Sequence, residues 1–482
     1  MILYTTLSWL FYVTKKQKNM DKFISAMQTK NALTANGAIT NSSTLNACLD
    51  FFSIAGNHSD MQKEFLKAFG EDPQTALRIL FWSRDCRGGA GAKHNFQLCM
   101  RYLQKHEPKV FSKVMRFIPV FGYWKDLFKC EPTEEVVKYI ASMLAMDDDH
   151  SLCAKYTPRQ GKWAYYLRKE LKLATPKTFR KFIVAKTQVV EQLMCARKWN
   201  QINYEEVPSV AMNNYAKLFG VHDKARFDKY IQAVKVGKKQ IHASVLFPCD
   251  VFHKYNQKTN DDVIRALWNN LPDFTEGSTE RILPVCDVSG SMFGGFSHPT
   301  INPIDVSVSL GVYLSEKNQS AFHNAFMTFS ENPELVYLTG NDIINKFKQL
   351  AKSNWGFSTN LQATFDLILS QALKHNLSQE DLPTKVLIIS DMQFNYCSKN
   401  KTNFELIDEK FKNAGYERPG LVFWNVEGSA GNCPATMYDK NVALVSGYSP
   451  AIIKSLLGGI ILTPMDVMLN TVNAERYQCI TL

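Results

Sequence analysis

The chain contains no run of about 18 apolar residues, so nothing in it reads as a membrane-spanning helix and no membrane partner is expected. Cysteine is sparse: 11 in 482 residues, an odd number, with no C-x-x-C pair. That excludes a disulfide-stapled secreted framework and a zinc ribbon, and the expected compartment is a reducing one, the cytoplasm. With only 18 Pro and 24 Gly, collagenous and low-complexity classes are excluded, and 45% hydrophobic with 21% charged residues is the balance of a folded chain. No phosphate loop is present, because RGGAGAKHN (87–95) lacks the G-x-x-x-x-G-K-[ST] spacing and puts His94 where a hydroxyl should bind magnesium. That string reads as a turn between helices. Gly290-Ser291-Met292-Phe293-Gly294 has the wrong register for a hydrolase elbow. The 10 histidines show no paired metal spacing.

Acidic residues are scarce in one stretch. Residues 151–239 hold 6 Asp+Glu against 19 Lys+Arg, net +13, where the whole chain is +11. Residues 1–280 carry 41 Lys+Arg and 27 Asp+Glu, net +14, and residues 281–482 carry 15 and 18, net −3. The two halves therefore face different partners, an anionic one for the first. Within the basic stretch, Lys155, Arg159, Lys162, Arg168, Lys169 and Lys172 are interleaved with Tyr156, Trp163, Tyr165 and Tyr166. Lys177, Arg180, Lys181 and Lys186 follow, largely off the apolar stripe of the next helix. Cations neutralise phosphates while rings stack on unpaired bases, which is the chemistry of single-stranded RNA recognition. The plainer alternative is that these cations solvate the outer faces of helices whose aromatics are core.

At 482 residues two or three domains are expected. The chain is expected to divide into an N-terminal arm (1–44), partly disordered, a helical-repeat region (45–280), a sheet domain (281–463) and a helical tail (464–482). Met20 opens a polar, ordinary N-terminus, so the first nineteen residues read as an upstream extension of the frame, with a loosely held apolar arm as the alternative. From about Leu45 to Trp268 apolar residues recur at three- and four-residue spacing. In PKTFRKFIVAKTQVVEQLMCARKW, Thr175 caps, Pro176 takes the first turn, and Phe179, Phe182, Ile183, Val190, Leu193 and Met194 form one buried stripe. Stacked helix pairs of this kind suggest an α-solenoid. After Thr275 short β-rich runs alternate with helical ones, as in a doubly wound parallel sheet whose ligands sit at the carboxyl ends of the strands.

Those ends hold the sharpest signal. The strand 282–286 runs into Asp287-Val288-Ser289-Gly290-Ser291, a helix follows Thr359, and Asp391 ends the apolar strand 386–390. Three loops can supply five hard oxygen donors, a set suited to Mg²⁺ or Mn²⁺ with positions left for water or an incoming carboxylate. Simple turn and cap roles are the alternative for such residues. A cation here could activate water with Asp287 or Asp391 as base, but no second metal or general acid accompanies it, so no enzyme is expected.

This second half resembles a von Willebrand factor A domain, and Asp287, Ser289, Ser291, Thr359 and Asp391 match its metal-ion-dependent adhesion site. The loop reads F-S-T rather than the frequent G-G-T, which leaves Ser358 and Thr359 as rival ligands; Asn360 following Thr359 favours the latter. In the first half, LFWSRDCRGGAGAKHNF (80–96), IPVFGYWKDLF (118–128), LCAKYTPRQGKWAYYLRKEL (152–171) and WNQINYEEVPSVAMNNYAKLF (199–219) resemble plant, fungal and giant-virus proteins that join a TROVE-like helical region to a von Willebrand A domain. More distantly the architecture is similar to the Ro ribonucleoprotein autoantigens. The resemblance implies a HEAT-like helical repeat followed by a Rossmann-like sheet. It also implies a non-enzymatic RNA-binding scaffold for small structured or single-stranded RNA, whose cation site recruits an acidic protein. The alternative is a protein-interaction scaffold that uses the same site without RNA.

Overall fold

The computed structural model describes residues 30–56, 60–146, 151–294, 301–329, 332–350, 359–457 and 463–482, in which helices run alone from Ala47 to Asn269 and alternate with strands after it. The first nineteen residues and Ser358 lie outside these stretches. From Ala47 to Asn269 the described elements are helical, including Ala47–Ile54, Pro73–Arg84, His94–His106, Gly161–Glu170, Pro176–Ala185, Ser209–His222, Pro248–Asn256 and Asp261–Asn269. Local chemistry accounts for their starts. In Pro73–Arg84, Asp72 accepts from the amides of Gln74 and Thr75, both at 3.1 Å, and Pro73 fills the first turn, where no amide partner is needed. Of the segment 87–95, residues 87–93 fall between two helices and His94 and Asn95 open the second.

One expected helix is two. Thr175 caps Pro176–Ala185 by accepting from the Thr178 amide at 3.1 Å, but the helix stops at Ala185 and a second begins at Val190. The Thr187 hydroxyl turns back onto the Ile183 carbonyl, and the β-branched run Thr187, Val189, Val190 resists helical crowding. Phe179 and Ile183 are buried, whereas Phe182, Val190, Leu193 and Met194 are only half-buried.

A ribbon of two short strands, β1 (Ala32–Leu33) and β2 (Ile39–Thr40), precedes the helices. After them comes a six-stranded sheet of β3 (Ile282–Asp287), β4 (Ala325–Phe329), β5 (Glu334–Tyr337), β6 (Lys385–Ser390), β7 (Gly420–Asn425) and β8 (Val442–Ser446), in the order β5-β4-β3-β6-β7-β8. Every pairing is parallel except β4 with β5. The fully parallel sheet expected from sequence is thus corrected at one edge. β5 is exposed at three of its four positions, so no apolar run marks it. β3, β6, β7 and β8 are buried along their whole length.

Alternate residues of these strands feed two cores. Cys286, Leu387, Ile389, Val422, Trp424, Ala443 and Val445 join a cluster that continues through the helical region. Leu283, Val285, Val386, Ile388, Leu421, Phe423 and Leu444 face the helices Leu361–Lys374 and Asn403–Asn413. Both ends of the helical region meet the sheet domain: Ala47–Ile54 lies against β8, and Pro248–Asn256 packs on the helix Pro303–Lys317 behind β3. At the first junction a Cβ on Gly56 would sit 2.3 Å from the Gly447 nitrogen, so the approach requires glycine.

Residues 30–44 and 464–482 both meet partners far off in sequence. The C-terminal helix Pro464–Val472 contacts Ala47–Ile54, Pro73–Arg84 and β8. Beyond it Arg476 and Tyr477 both bond the fully buried Asp85. Residues 30–44 are docked across the carboxyl edge of the sheet, with antiparallel bridges from Gly37 to Asn395 and from Asn41 to Cys433.

Candidate functional site

Strand order reverses between β3 and β6, the position where open α/β sheets bind ligands. Cys286 is paired with Ile389, so the next residues, Asp287 and Ser390, lie level and Asp391 stands one position beyond. The Ser390 hydroxyl donates to Asp287 at 2.6 Å, and the Ser289 amide donates to its other oxygen at 2.9 Å. The hydroxyls of Ser289 and Ser291 are 3.0 Å apart, and Ser291 hydrogen-bonds Asp391. Asp391 also accepts from the Gln393 amide at 3.1 Å. Four of the five expected ligands, Asp287, Ser289, Ser291 and Asp391, are thereby assembled on two adjacent loops.

Asp287 is 0% exposed and Asp391 5%. Burial, with the Asp391 charge adding to it, pushes the Asp287 carboxyl up to about 7, and burial raises Asp391 as well. Among the described residues neither carboxylate has a Lys or Arg ion-pair partner. Two buried like charges without a counter-charge favour a cation, and the surrounding donors are all oxygen, which fits Mg²⁺ or Mn²⁺.

Thr359 sits differently. It is 1% exposed at the start of Leu361–Lys374, and its hydroxyl lies 2.7 Å from the Gln393 carbonyl and 2.7 Å from the Asn395 side-chain oxygen. It also accepts from the Asn36 amide group at 2.9 Å. Among the described residues, Gln393 links Thr359 to Asp391, its carbonyl taking the Thr359 hydroxyl and its amide bonding Asp391. Sequence reasoning missed Ser390, the last residue of the apolar strand β6, and Asn36, more than three hundred residues away from Thr359. Met392, next to Asp391, is 2% exposed with φ of +65°, a left-handed backbone that a side chain resists and that marks the site loop as held in place by its surroundings.

On the helical side, Arg159, Lys162, Lys169, Lys172, Lys177, Arg180 and Lys181 are exposed. Lys162 reaches Glu131 at 3.4 Å, with both side chains more than 70% exposed, so that pair is weak. Lys155 is neutralised by Glu191 at 2.8 Å. Arg168 bonds the Leu173 and Ala174 carbonyls, and Lys186 the Met146 carbonyl. The helix Gly161–Glu170 buries Trp163, Ala164 and Leu167, so Trp163 is core and donates to the Phe128 carbonyl at 3.0 Å. Tyr165 and Tyr166 stay 47% and 45% exposed, edge to face, with the Lys169 ammonium 4.5 Å from the Tyr165 ring. Beside this face, a cavity of about 600 Å³ opens between Leu152, Val189, Glu191, Asn203 and Pro208.

The class defined by these features is a helical region followed by a mostly parallel six-stranded sheet with a paired-carboxylate site at its switch point. Residues 34–130 and 133–274 match the family described as Domain of unknown function (DUF2828), and residues 281–477 match Domain of unknown function (DUF7788). The chain is similar to the uncharacterized protein L728 of Acanthamoeba polyphaga mimivirus, at 28% identity over 504 residues, covering 91% of this chain and 86% of that protein. The crystal structure of the Deinococcus radiodurans Ro (RSR) protein aligns with a TM-score of 0.38 and 14% identity, over 86% of this chain and 91% of that one. No helix among the described residues is long and apolar enough to cross a membrane.

Proposed function

We propose that the protein is a non-enzymatic RNA-binding scaffold. A TROVE-like helical region presents cationic surface to single-stranded or small structured RNA, and a von Willebrand A-type domain holds Mg²⁺ or Mn²⁺ to recruit an acidic protein partner. The observation that carries the RNA reading is the state of the cations: seven of the ten candidates are exposed, and among the described residues only Lys162 of those seven has a carboxylate partner, a weak one. Exposed Tyr165 and Tyr166 stand in the same surface, where they can stack on bases while the cations displace counterions from phosphates.

For the cation, Asp287 and Asp391 supply charge and Ser289 and Ser291 supply neutral oxygens. The bound ion would offer an open coordination position to a carboxylate from another molecule.

Fluorescence-polarisation titration with a labelled single-stranded RNA at 50 to 200 mM salt tests the RNA reading. Replacing Lys177, Arg180 and Lys181 together by Ala should weaken binding and shallow the slope of log affinity against log salt by about 2, given about 0.7 per phosphate contact on a single strand. An unchanged slope, or wild-type binding indifferent to salt, would end this reading.

A further inference from the structure

A second group of cations lies outside the stretch 151–239, built on the buried pair Arg84 and Asp126. The Asp126 carboxylate accepts from Arg84 Nε at 2.8 Å, from the Gln97 side chain at 2.6 Å and from the Tyr123 amide at 2.9 Å, so its charge is used inside the protein. Three lysines are fixed around it. Gln97 sits one turn beyond Lys93, with its amide on the Lys93 carbonyl at 3.3 Å, so the bond from Gln97 to Asp126 brings Lys93 alongside. Lys125 adjoins Asp126 in the chain, and the Lys129 amide donates to the Asp126 carbonyl at 3.1 Å.

Lys93, Lys125 and Lys129 are exposed, and among the described residues none of them has a carboxylate partner. Lys93 registers the crowding. Burial, then the Lys125 charge, holds its ammonium below the ordinary lysine value, and Arg84 and Lys129 act in the same direction against Asp126. An anion would relieve that repulsion.

The group borders the surface already described. Phe128, between Lys125 and Lys129, packs edge to face on Trp163 with ring centroids 5.2 Å apart, and its carbonyl accepts from the Trp163 indole. Lys162 reaches Glu131, two residues past Lys129, and exposed Tyr166 lies one turn on from Lys162 in Gly161–Glu170.

We propose that Lys93, Lys125 and Lys129 form a second phosphodiester-binding patch, which extends the track of one RNA strand from the Tyr165–Tyr166 face to the turn before His94–His106. The inference rests on the RNA reading above. No base is read at this patch, because lysines on phosphates supply affinity and position without sequence preference.

Fluorescence-polarisation titration of the full chain with a labelled single-stranded RNA at 50 to 200 mM salt tests it on two variants, one with Lys93, Lys125 and Lys129 all replaced by Ala and one with all three replaced by Arg. The Ala variant should shallow the slope of log affinity against log salt by about 2, from three contacts at about 0.7 each, and the Arg variant should keep the wild-type slope. Lysine acetylation read by mass spectrometry gives a second measure. Saturating RNA should slow modification of Lys93, Lys125 and Lys129 by about threefold or more and leave exposed Lys374 of the sheet domain unchanged. If wild type binds with a salt slope and the Ala variant has the same slope, or if the three lysines are modified as fast with RNA as without, the patch is refuted and the RNA reading stands. An Arg variant that loses the slope as the Ala variant does also refutes it, since charge would then not be what binds. If wild type does not bind, or binds without regard to salt, the RNA reading fails and the patch with it.

Discussion

Asp287 owes its character to three neighbours in different strands and loops: Ser390 level with it on β6, Ser289 two residues on, and Asp391 across the switch point. Burying one carboxylate beside another costs stability unless a cation intervenes. Asp287→Asn keeps the acceptor for the Ser289 amide, lets its new amide group donate to the Ser390 oxygen, and removes one charge. In metal-free buffer it should unfold at the same temperature as wild type or up to several degrees higher, and it should lose the upward shift that millimolar Mg²⁺ gives wild type. Differential scanning fluorimetry with EDTA and with Mg²⁺ reads both, and a variant that still responds to Mg²⁺ would remove Asp287 from the site. The two aspartates were legible because each closes an apolar run, where a charge has no packing reason to be. Ser390 and Asn36 were not, since register and chain-end docking leave no local trace in sequence.

At the scale of elements, periodicity gave the long helices and the four buried strands and failed where burial is partial. β5 was not separated out, because a strand exposed at three of four positions carries no apolar run, and neither was the helix Ile343–Leu350, whose eight residues show little more than two turns of period. The stretch R-D-C-R-G-G holds two residues of buried ion pairs. Arg84 pairs with Asp126 at 2.7 Å with both fully buried, and Asp85 takes Arg476 and Tyr477 from the C-terminal tail. Removing Arg476 strands a buried carboxylate, so Arg476→Ala should cost about 2 to 4 kcal/mol by denaturant unfolding. Adding Asp85→Asn should return part of that loss, and strict additivity of the two substitutions would show that the pair is not coupled.

Over the whole molecule, the helical region meets the sheet domain at both ends, and the second junction carries a titratable link. Arg265, in Asp261–Asn269, forms a two-point ion pair at 2.8 and 3.0 Å with Asp342, just before Ile343–Leu350. The Arg265 hydrogen bonds hold the Asp342 carboxyl below its ordinary 3.8. A carboxyl lowered on folding contributes stability that is present above the unfolded value and is lost as pH falls through the folded one. The contribution should therefore be whole at pH 5 and above and decline below about 4. Asp342→Asn should lower neutral-pH stability by about 1 kcal/mol, as expected for a partly exposed pair, and lose that part of the acid dependence. Denaturation midpoints at pH 3 to 7 would show this as two curves converging at the acid end; parallel curves would contradict it.

Charge distribution, unlike packing, was legible at this largest scale, since net charge over a stretch survives ignorance of which side chains point outward. The individual assignments were not: Trp163 turned inward and Lys155 found Glu191. The most direct measurement is therefore one that maps contact. Ultraviolet crosslinking of the full chain to a 4-thiouridine RNA, followed by mass spectrometry of the crosslinked peptides, should mark Tyr165 or Tyr166 and the adjoining 161–185 surface, with yield falling as salt rises. Crosslinks confined to the sheet domain, or none at 50 mM salt, would contradict the account.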